Sequence, residues 1–190
     1  GGLPLQFPDS VKNDEDARAF FLQWQPSAPP GQWREYSNPS IGLLGEVTAQ
    51  AMKTPFADAM QAQLLPALGL RHSFIKVPEQ ALPDYAWGHR DGRPVRVNPG
   101  PLAEPAYGLK ASAADLLQFV QANLDPSALA PALRQAIART QVGHYRFGLM
   151  VQGLGWEQYP YPISLEGLLG GNAAEVIFDA NPVQALAADA

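Results

Sequence analysis

The chain has 190 residues, a mass of 20.5 kDa and a formal net charge of −5, and 46% of its residues are hydrophobic. This length suits one compact unit, and the hydrophobic fraction excludes a disordered chain. The acidic balance and the lack of long basic runs exclude the electrostatic footprint of a nucleic-acid-binding protein.

Metal, disulfide and membrane signals are also missing from the sequence. Zero cysteines exclude disulfides, thiolate zinc sites and cysteine nucleophiles. The histidines at 72, 89 and 144 share no metal-ligand spacing, so we expect no metal and no cofactor. No apolar run approaches the roughly 18 residues of a membrane span, and the first residues do not read as a signal peptide.

Three amphipathic helices are predicted in the first third of the chain. Residues 14–24 carry apolar side chains at helical spacing behind an acidic first turn. Asn38 reads as the N-cap of a second helix that extends to about Met52, with Pro39 at its first position. Thr54 reads as the cap of a third helix that ends at Pro66. The second and third helices are expected to pack as a hairpin.

The rest of the chain predicts a β-ribbon and two more helices. Alternating residues over 85–97 flank Asp91-Gly92, a strong signal for a hairpin turn. Residues 98–105 read as a loop, and Ser112 with Asp115 reads as an acidic capping box before a helix over 113–123. A further helix is predicted over 128–140. Residues 148–161 mix strand-like residues with glycines, and the signals over 168–190 are weak.

Tyr36-Ser37-Asn38 lies immediately before a predicted helix, where loop side chains can point into a cleft. On spacing alone, the triplet is a weak motif, because a packed tyrosine followed by a capping asparagine is the better explanation.

Five blocks in register resemble the class C serine β-lactamases, the AmpC-type cephalosporinases. The resemblance runs from Gly2 to about Ala185. The blocks are Gly2-Leu3-Pro4-Leu5-Gln6-Phe7-Pro8, Trp24-Gln25-Pro26, Tyr36-Ser37-Asn38-Pro39-Ser40-Ile41-Gly42-Leu43, Ala106-Tyr107-Gly108-Leu109-Lys110 and Gln152-Gly153-Leu154-Gly155-Trp156-Glu157.

The resemblance implies an enzyme in which the serine of a Ser-x-x-Lys motif attacks a β-lactam and forms an acyl-enzyme that water hydrolyses. Tyr36 resembles the catalytic tyrosine that hydrogen-bonds the nucleophile and moves protons. Asn38 resembles the asparagine that binds the amide of the acyl side chain. Gln6 and Tyr107 match residues that line the same substrate pocket.

Of the three motifs that face the cleft in this family, only Tyr-x-Asn has its expected place here. Ser73-Phe74-Ile75-Lys76 has the letters of Ser-x-x-Lys, but it follows Tyr36 and has strand or loop character. Lys53-Thr54-Pro55 begins like Lys-Thr-Gly, but its proline lacks the backbone N–H. We therefore expect an internal segment that is inactive alone because the nucleophilic serine is absent.

The fold that the resemblance implies is α+β and α-rich. It is mainly the helical lobe of the serine β-lactamase and penicillin-binding-protein-like fold, with about five or six helices, a small β-ribbon and the sheet lobe largely missing. Residues 1–190 would form a single partial domain. The second helix and the tail after Gly155 are expected to expose an apolar patch where the missing lobe belongs.

The implied partner is a β-lactam in the complete enzyme, which the resemblance places in the periplasm as a monomer; the segment alone is expected to self-associate. Nucleic-acid and membrane partners are not expected. Two alternatives remain open at this point. The first is a segment of a same-fold esterase or D-alanyl-D-alanine peptidase, and the second is a non-catalytic helical binding module.

Overall fold

The computed structural model describes residues 2–187, and positions 1 and 188–190 lie outside the described residues. A π-helical turn (Met60–Leu64) and a 3₁₀-helix (Glu79–Asp84) accompany the α-helices. The α-helices are α1 (Asp14–Gln23), α2 (Asn38–Met52), α3 (Phe56–Ala59), α4 (Leu65–Ala67), α5 (Ala103–Tyr107), α6 (Ala113–Leu124), α7 (Pro131–Thr140), α8 (Leu165–Gly170) and α9 (Ala174–Phe178).

The strands are short and form four small antiparallel sheets within residues 2–187. The largest has four strands in the order β10-β6-β7-β8, and the others pair β1 with β9, β2 with β5 and β3 with β4. The strands are β1 (Trp33–Arg34), β2 (Ser73–Phe74), β3 (Gly88–Arg90), β4 (Arg93–Val95), β5 (Lys110–Ala111), β6 (Tyr145–Phe147), β7 (Met150–Gln152), β8 (Glu157–Gln158), β9 (Asn181–Pro182) and β10 (Gln184–Ala185).

This architecture confirms the α-rich α+β prediction of a helical lobe with small sheets. The five predicted helices are present, with the third formed jointly by α3, the π-helical turn and α4. The short helices α5, α8 and α9 were not predicted. The loop predicted over 98–105 is wrong at its end, because α5 begins at Ala103.

Helix α2 packs closely against α5 because two of its positions lack a side chain. A Cβ at Gly42 would lie 2.8 Å from the carbonyl oxygen of Leu102, and a Cβ at Gly45 would lie 2.1 Å from Cγ of Pro105. Both glycines are buried. Any side chain at these positions would push α5 away, so the two glycines determine how closely α5 approaches. Helix α2 also contacts α3, as the predicted helical hairpin requires.

The main hydrophobic cluster joins the end of the third helical segment to α6 and α7. Phe119 of α6 borders it and stacks on Trp156, with ring centroids 6.0 Å apart. The buried members of the cluster are Leu65, Leu68, Leu70, Ala122 and Ile137.

Three local predictions are wrong in detail. Ser37, not Asn38, caps α2, because its hydroxyl accepts the Ser40 N–H at 3.3 Å. Thr54 does not cap the next helix, because its hydroxyl donates back to the carbonyl of Met52. That helix continues one residue past Pro66, because the π-helical turn places the proline near the start of α4, where no N–H is required.

The hairpin prediction over 85–97 is confirmed. Asp91 and Gly92 both have positive φ, at 51° and 72°, as a type I′ turn requires. At its base, the Arg96 guanidinium lies between two aromatic rings, 4.0 Å from the centroid of Tyr85 and 3.8 Å from that of Trp87. Two cation–π contacts therefore hold the ends of the ribbon together.

Several helices expose apolar side chains, as was predicted for α2 and for the tail after Gly155. Ile41, Leu44 and Val47 of α2 are 44–61% exposed. Leu165 of α8 and Phe178 of α9 are exposed as well. Helix α6, which was not predicted to do so, exposes a similar stripe made of Leu116, Leu117, Val120 and Leu124.

Candidate active site

The Tyr36 loop connects β1 to α2, and hydrogen bonds hold it on both sides. Before the tyrosine, β1 pairs with β9, so that Arg34 lies opposite Asn181. After it, the buried Ser37 donates its hydroxyl to the carbonyl of Pro4 at 2.8 Å. The Asn38 N–H donates to the carbonyl of Leu5 at 3.0 Å. The loop therefore has a defined backbone conformation although it contains no regular structure.

The Tyr36 side chain projects outward from the backbone that these hydrogen bonds fix. It is 47% exposed, and its hydroxyl makes no hydrogen bond with any of residues 2–187. The phenol is thus available to a group from outside the described residues. A packed core tyrosine, the alternative explanation for this position, would be buried instead.

An open pocket of about 150 Å³ lies beside the loop. Gln6, Asn38 and Tyr107 all line it, so the structure brings together the three residues predicted to bind substrate. Tyr36 is not part of its lining. The remaining lining residues are Phe7, Pro8, Asp9, Val11, Lys12, Pro39, Gly100, Pro101, Leu102 and Ala106.

Each of the three predicted residues comes from a different part of the chain. Gln6 lies in the extended N-terminal segment, Asn38 begins α2, and Tyr107 ends α5. The Tyr107 hydroxyl lies 3.1 Å from where a Cβ on Gly100 would be, so the glycine leaves room for this hydroxyl. The side-chain amides of Gln6 and Asn38 make no hydrogen bond with the described part of the chain, and each offers both donors and an acceptor. That combination matches a ligand that carries an amide.

The pocket also has a charged edge that sequence reasoning missed. Asp9 and Lys12 line it, and neither forms an ion pair with residues 2–187. Nothing in the residue pattern marked these two positions, because an isolated Asp and Lys in a polar loop are most often solvated surface charges.

Arg34 anchors the strand before Tyr36 to three other elements. Its guanidinium donates to Gln152 of β7 at 3.1 Å, to the carbonyl of Val176 in α9 at 3.1 Å, and to Glu157 of β8 at 2.6 Å. The Arg34 side chain is only 13% exposed. Burial, together with the Glu157 carboxylate, raises the pKa of Tyr159 above its ordinary value, against the opposing charge of Arg34. The sequence reasoning also missed Arg34, since a two-residue strand carries no periodic signal.

Ser73, the serine of the misplaced Ser-x-x-Lys letters, has no activated environment. It is 4% exposed, and its hydroxyl donates to the Asp115 carboxylate at 2.7 Å. Burial raises the pKa of Asp115, but hydrogen bonds from Ser73, His72 and Arg71 outweigh it, and the net pKa lies below the ordinary value. A carboxylate with a lowered pKa is a weak general base.

The second residue of that pair lies elsewhere. The Lys76 ammonium pairs with Glu104 at 3.8 Å, and its side chain is 68% exposed. Ser73 and Lys76 thus have separate partners, and their letters do not form a nucleophile and its base.

The capping box predicted for Ser112 and Asp115 is only half present. The Ser112 hydroxyl accepts the Asp115 N–H at 3.1 Å, as predicted. The Asp115 carboxylate does not return to the Ser112 N–H, because it accepts instead from the backbone of His72 and from Ser73. Asp115 therefore joins the start of α6 to strand β2.

Two further classes of site were searched within residues 2–187. No three His, Asp or Glu side chains there are grouped so that they could hold a metal ion. No helix in the same range is long and apolar enough to cross a membrane.

Comparison with known proteins identifies the family. The Beta-lactamase family model matches residues 1–184. A β-lactamase from Lysobacter lactamgenus is 48% identical over 187 residues, which is 98% of this chain and 49% of that protein.

Solved structures support the same family. A class C β-lactamase from Rhodobacter sphaeroides superposes with a TM-score of 0.92 at 40% identity, over 98% of this chain and 53% of that one. A β-lactamase/D-alanine carboxypeptidase from Pseudomonas syringae gives a TM-score of 0.93 at 44% identity, over 98% and 52%. The chain spans about half the length of the relatives it matches. It belongs to the β-lactamase family, in the class C branch of the serine enzymes.

Proposed function

We propose that this chain forms the Tyr-x-Asn side of the active-site cleft of an enzyme that hydrolyses β-lactams, cephalosporins in particular, through an acyl-serine intermediate. The observation that carries the proposal is the pocket in which Gln6, Asn38 and Tyr107 meet beside the exposed Tyr36. Family membership supplies the reaction type, and we place the whole enzyme in the periplasm on the same ground.

The proposed roles follow from the chemistry of each side chain. Tyr36 hydrogen-bonds the serine nucleophile and carries protons during acylation and deacylation, which suits a phenol that is 47% exposed and has no hydrogen-bond partner among residues 2–187. Asn38 and Gln6 bind the amide of the substrate's acyl side chain, since both amides are unengaged within residues 2–187. Tyr107 walls the same pocket with its ring.

The 190-residue chain alone is proposed to be inactive. Its one serine with the Ser-x-x-Lys letters, Ser73, is buried and bonded to a weakly basic carboxylate. A serine enzyme of this family also needs an oxyanion hole. The loss of one hydrogen-bond donor from such a hole costs a factor of about 100 to 1000 in rate.

Intact-mass spectrometry of the chain after exposure to a cephalosporin, with turnover of a chromogenic cephalosporin in parallel, tests this proposal. We expect no adduct and no turnover. A stoichiometric adduct on Ser73, with turnover abolished by Ser73→Ala, would show instead that the chain is itself an acyl-transfer enzyme.

The role of Tyr36 is tested in a full-length enzyme that contains this segment. Tyr36→Phe is expected to lower the acylation rate by roughly 100-fold to 10,000-fold, the usual contribution of a positioned proton carrier. Tyr161→Phe is a matched control, because Tyr161 is 97% exposed and lies outside the pocket. Equal rates for both variants would remove Tyr36 from the chemistry.

A D-alanine carboxypeptidase is the second candidate function, favoured by the name of the Pseudomonas syringae relative. The two candidates share the acyl-serine route and differ in substrate. Comparing kcat/KM for a cephalosporin and for a peptide ending in D-alanyl-D-alanine, with the full-length enzyme, separates them.

A further inference from the structure

Two segments of the chain run side by side with a constant offset along the sequence. The Gly2 N–H donates to the carboxylate of Glu35, the Ser37 hydroxyl donates to the carbonyl of Pro4, and the Asn38 N–H donates to the carbonyl of Leu5. Each bond joins residues 33 positions apart. We call residues 2–5 and 35–38 the paired segments.

Side chains supply two of the three bonds between the paired segments, so the alignment is specific to these residues and is not an ordinary strand pairing. The alignment has a direct effect on the pocket, because Gln6 is the next residue after the first segment and Asn38 is the last residue of the second. The two amides that line the pocket therefore lie at the same end of the paired segments.

Ser37 is the central side chain of this arrangement. It is 7% exposed, and its hydroxyl does two things at once. It donates to the carbonyl of Pro4 at 2.8 Å and accepts the Ser40 N–H at 3.3 Å, which caps α2. One hydroxyl thus joins the first paired segment, the Tyr36 loop and the start of α2.

We infer that Ser37 is a positioning residue that fixes the register between the paired segments, and through it the separation of the Gln6 and Asn38 amides. The effect of this register on substrate binding rests on the proposed function. The physical reason is that a ligand amide can bond both side chains only if their separation is constant. Ser37 does not line the pocket, and its hydroxyl contacts the backbone of Pro4 and Ser40.

Three variants of the 190-residue chain separate the two bonds of the hydroxyl. Ser37→Ala removes both bonds. Ser37→Asp retains a helix cap but has no proton to donate to Pro4. Ser37→Thr retains both the donor and the acceptor. Ser40→Ala is the matched control, because the Ser40 hydroxyl bonds locally to the Ser37 carbonyl at 2.7 Å and does not reach residues 2–5.

Amide hydrogen exchange measured by NMR is the first readout. The Asn38 N–H, which bonds across to Leu5, should exchange about 5-fold to 30-fold faster in Ser37→Ala and in Ser37→Asp. The Ser40 N–H should be faster only in Ser37→Ala, because aspartate restores the cap. Ser37→Thr and Ser40→Ala should leave Asn38 exchange as in the wild type.

The side-chain amide resonances of Gln6 and Asn38 are the second readout. We expect both to shift and broaden in Ser37→Ala and Ser37→Asp, and a merely structural loss of stability would not single out these two signals. The inference is overturned if Asn38 exchange and both amide signals are the same in Ser37→Ala and Ser40→Ala.

Kinetics of the full-length enzyme link the alignment to catalysis. For a cephalosporin with an acylamido side chain, Ser37→Ala should raise KM about 5-fold to 30-fold with a smaller change in kcat, because positioning of the amide pair affects binding. A wild-type enzyme that hydrolyses no β-lactam would refute the proposed function, whereas the exchange data would still decide the role of Ser37. If Ser37→Ala speeds Asn38 exchange but leaves KM unchanged, the alignment of the paired segments does not affect substrate binding, and this part of the inference is refuted.

Discussion

Asp115 offers a sharp test of how the chain is held together, because one buried carboxylate joins two elements. Its Oδ2 atom accepts from the His72 N–H and from the Ser73 hydroxyl, both at 2.7 Å, while the residue is 6% exposed at the start of α6. The substitution Asp115→Asn keeps the size of the side chain and removes its charge.

The magnitude follows from those contacts. A hydrogen bond to a charged group contributes about 1.5 to 3 kcal/mol, and a neutral one about half as much. With two bonds weakened and the favourable charge at the helix N-terminus removed, we expect Asp115→Asn to lower the free energy of unfolding by about 2 to 3 kcal/mol. Urea unfolding at pH 7, followed by the fluorescence of the four tryptophans, measures this difference.

The pH dependence gives a second check on the same carboxylate. Its pKa is lowered in the folded chain, so its stabilisation is complete above the unfolded value of about 3.9 and is lost as pH falls through the folded pKa. The difference between wild type and Asp115→Asn should therefore be constant from pH 7 to about pH 5 and should shrink below about pH 4.

Asp125→Asn is the matched control, because hydrogen bonds from Ser127 also lower the pKa of this aspartate, but its side chain is exposed. Its effect on unfolding at pH 7 should be small. The reasoning about Asp115 is refuted if both variants unfold alike at pH 7, or if the Asp115 difference persists unchanged at acid pH.

Two further predictions concern stability. Arg34→Gln should lower the unfolding free energy by about 1 to 3 kcal/mol in urea titrations, since it removes the hydrogen bonds of a guanidinium that is only 13% exposed, whereas Arg18→Gln, at a side chain that is 63% exposed, should change it by less than about 1 kcal/mol. Gly45→Ala should cost about 1 to 3 kcal/mol in the same assay because a rigid proline ring occupies the space. Gly170→Ala has nothing within 4 Å and should be neutral or stabilising, and equal effects at the two glycines would contradict the packing argument.

Elements with strong local signals could be predicted from the sequence alone. The acidic first turn and apolar spacing of α1, the proline near the start of α2 and the Asp91-Gly92 turn each act over a few residues, so no tertiary context was needed. The caps were less accurate, because Ser37 and Asn38 are both good capping residues and only their three-dimensional contacts decide between them.

Elements that depend on distant contacts could not be predicted. Helix α5 contains a proline and spans five residues, and it lies against the glycine face of α2. Strands β9 and β10 have two residues each and pair with β1 and β6 far away in the chain. Neither length permits a periodic pattern.

Some residues of the candidate site could be predicted from the sequence and others could not. Gln6, Asn38 and Tyr107 were predicted from family resemblance, and they line one pocket. Asp9 and Lys12 at its edge were not, because single charges in a loop carry no signal that distinguishes a lining residue from a solvated one. The contacts of Ser37 with Pro4 and of Arg34 with Glu157 join residues 33 and 123 positions apart, so they appear only when distant segments are placed together.

The pairing of β1 with β9 has a consequence for synthesis on the ribosome. Trp33 and Arg34 lie opposite Pro182 and Asn181, so the strand that leads to Tyr36 has no partner until almost 150 further residues have been made. At the usual elongation rate of about 5 to 20 residues per second, this is a wait of roughly 7 to 30 s. During that interval, the nascent chain carries the Tyr36 loop without the pairing of β1 with β9, which forms only when residues 181–182 emerge.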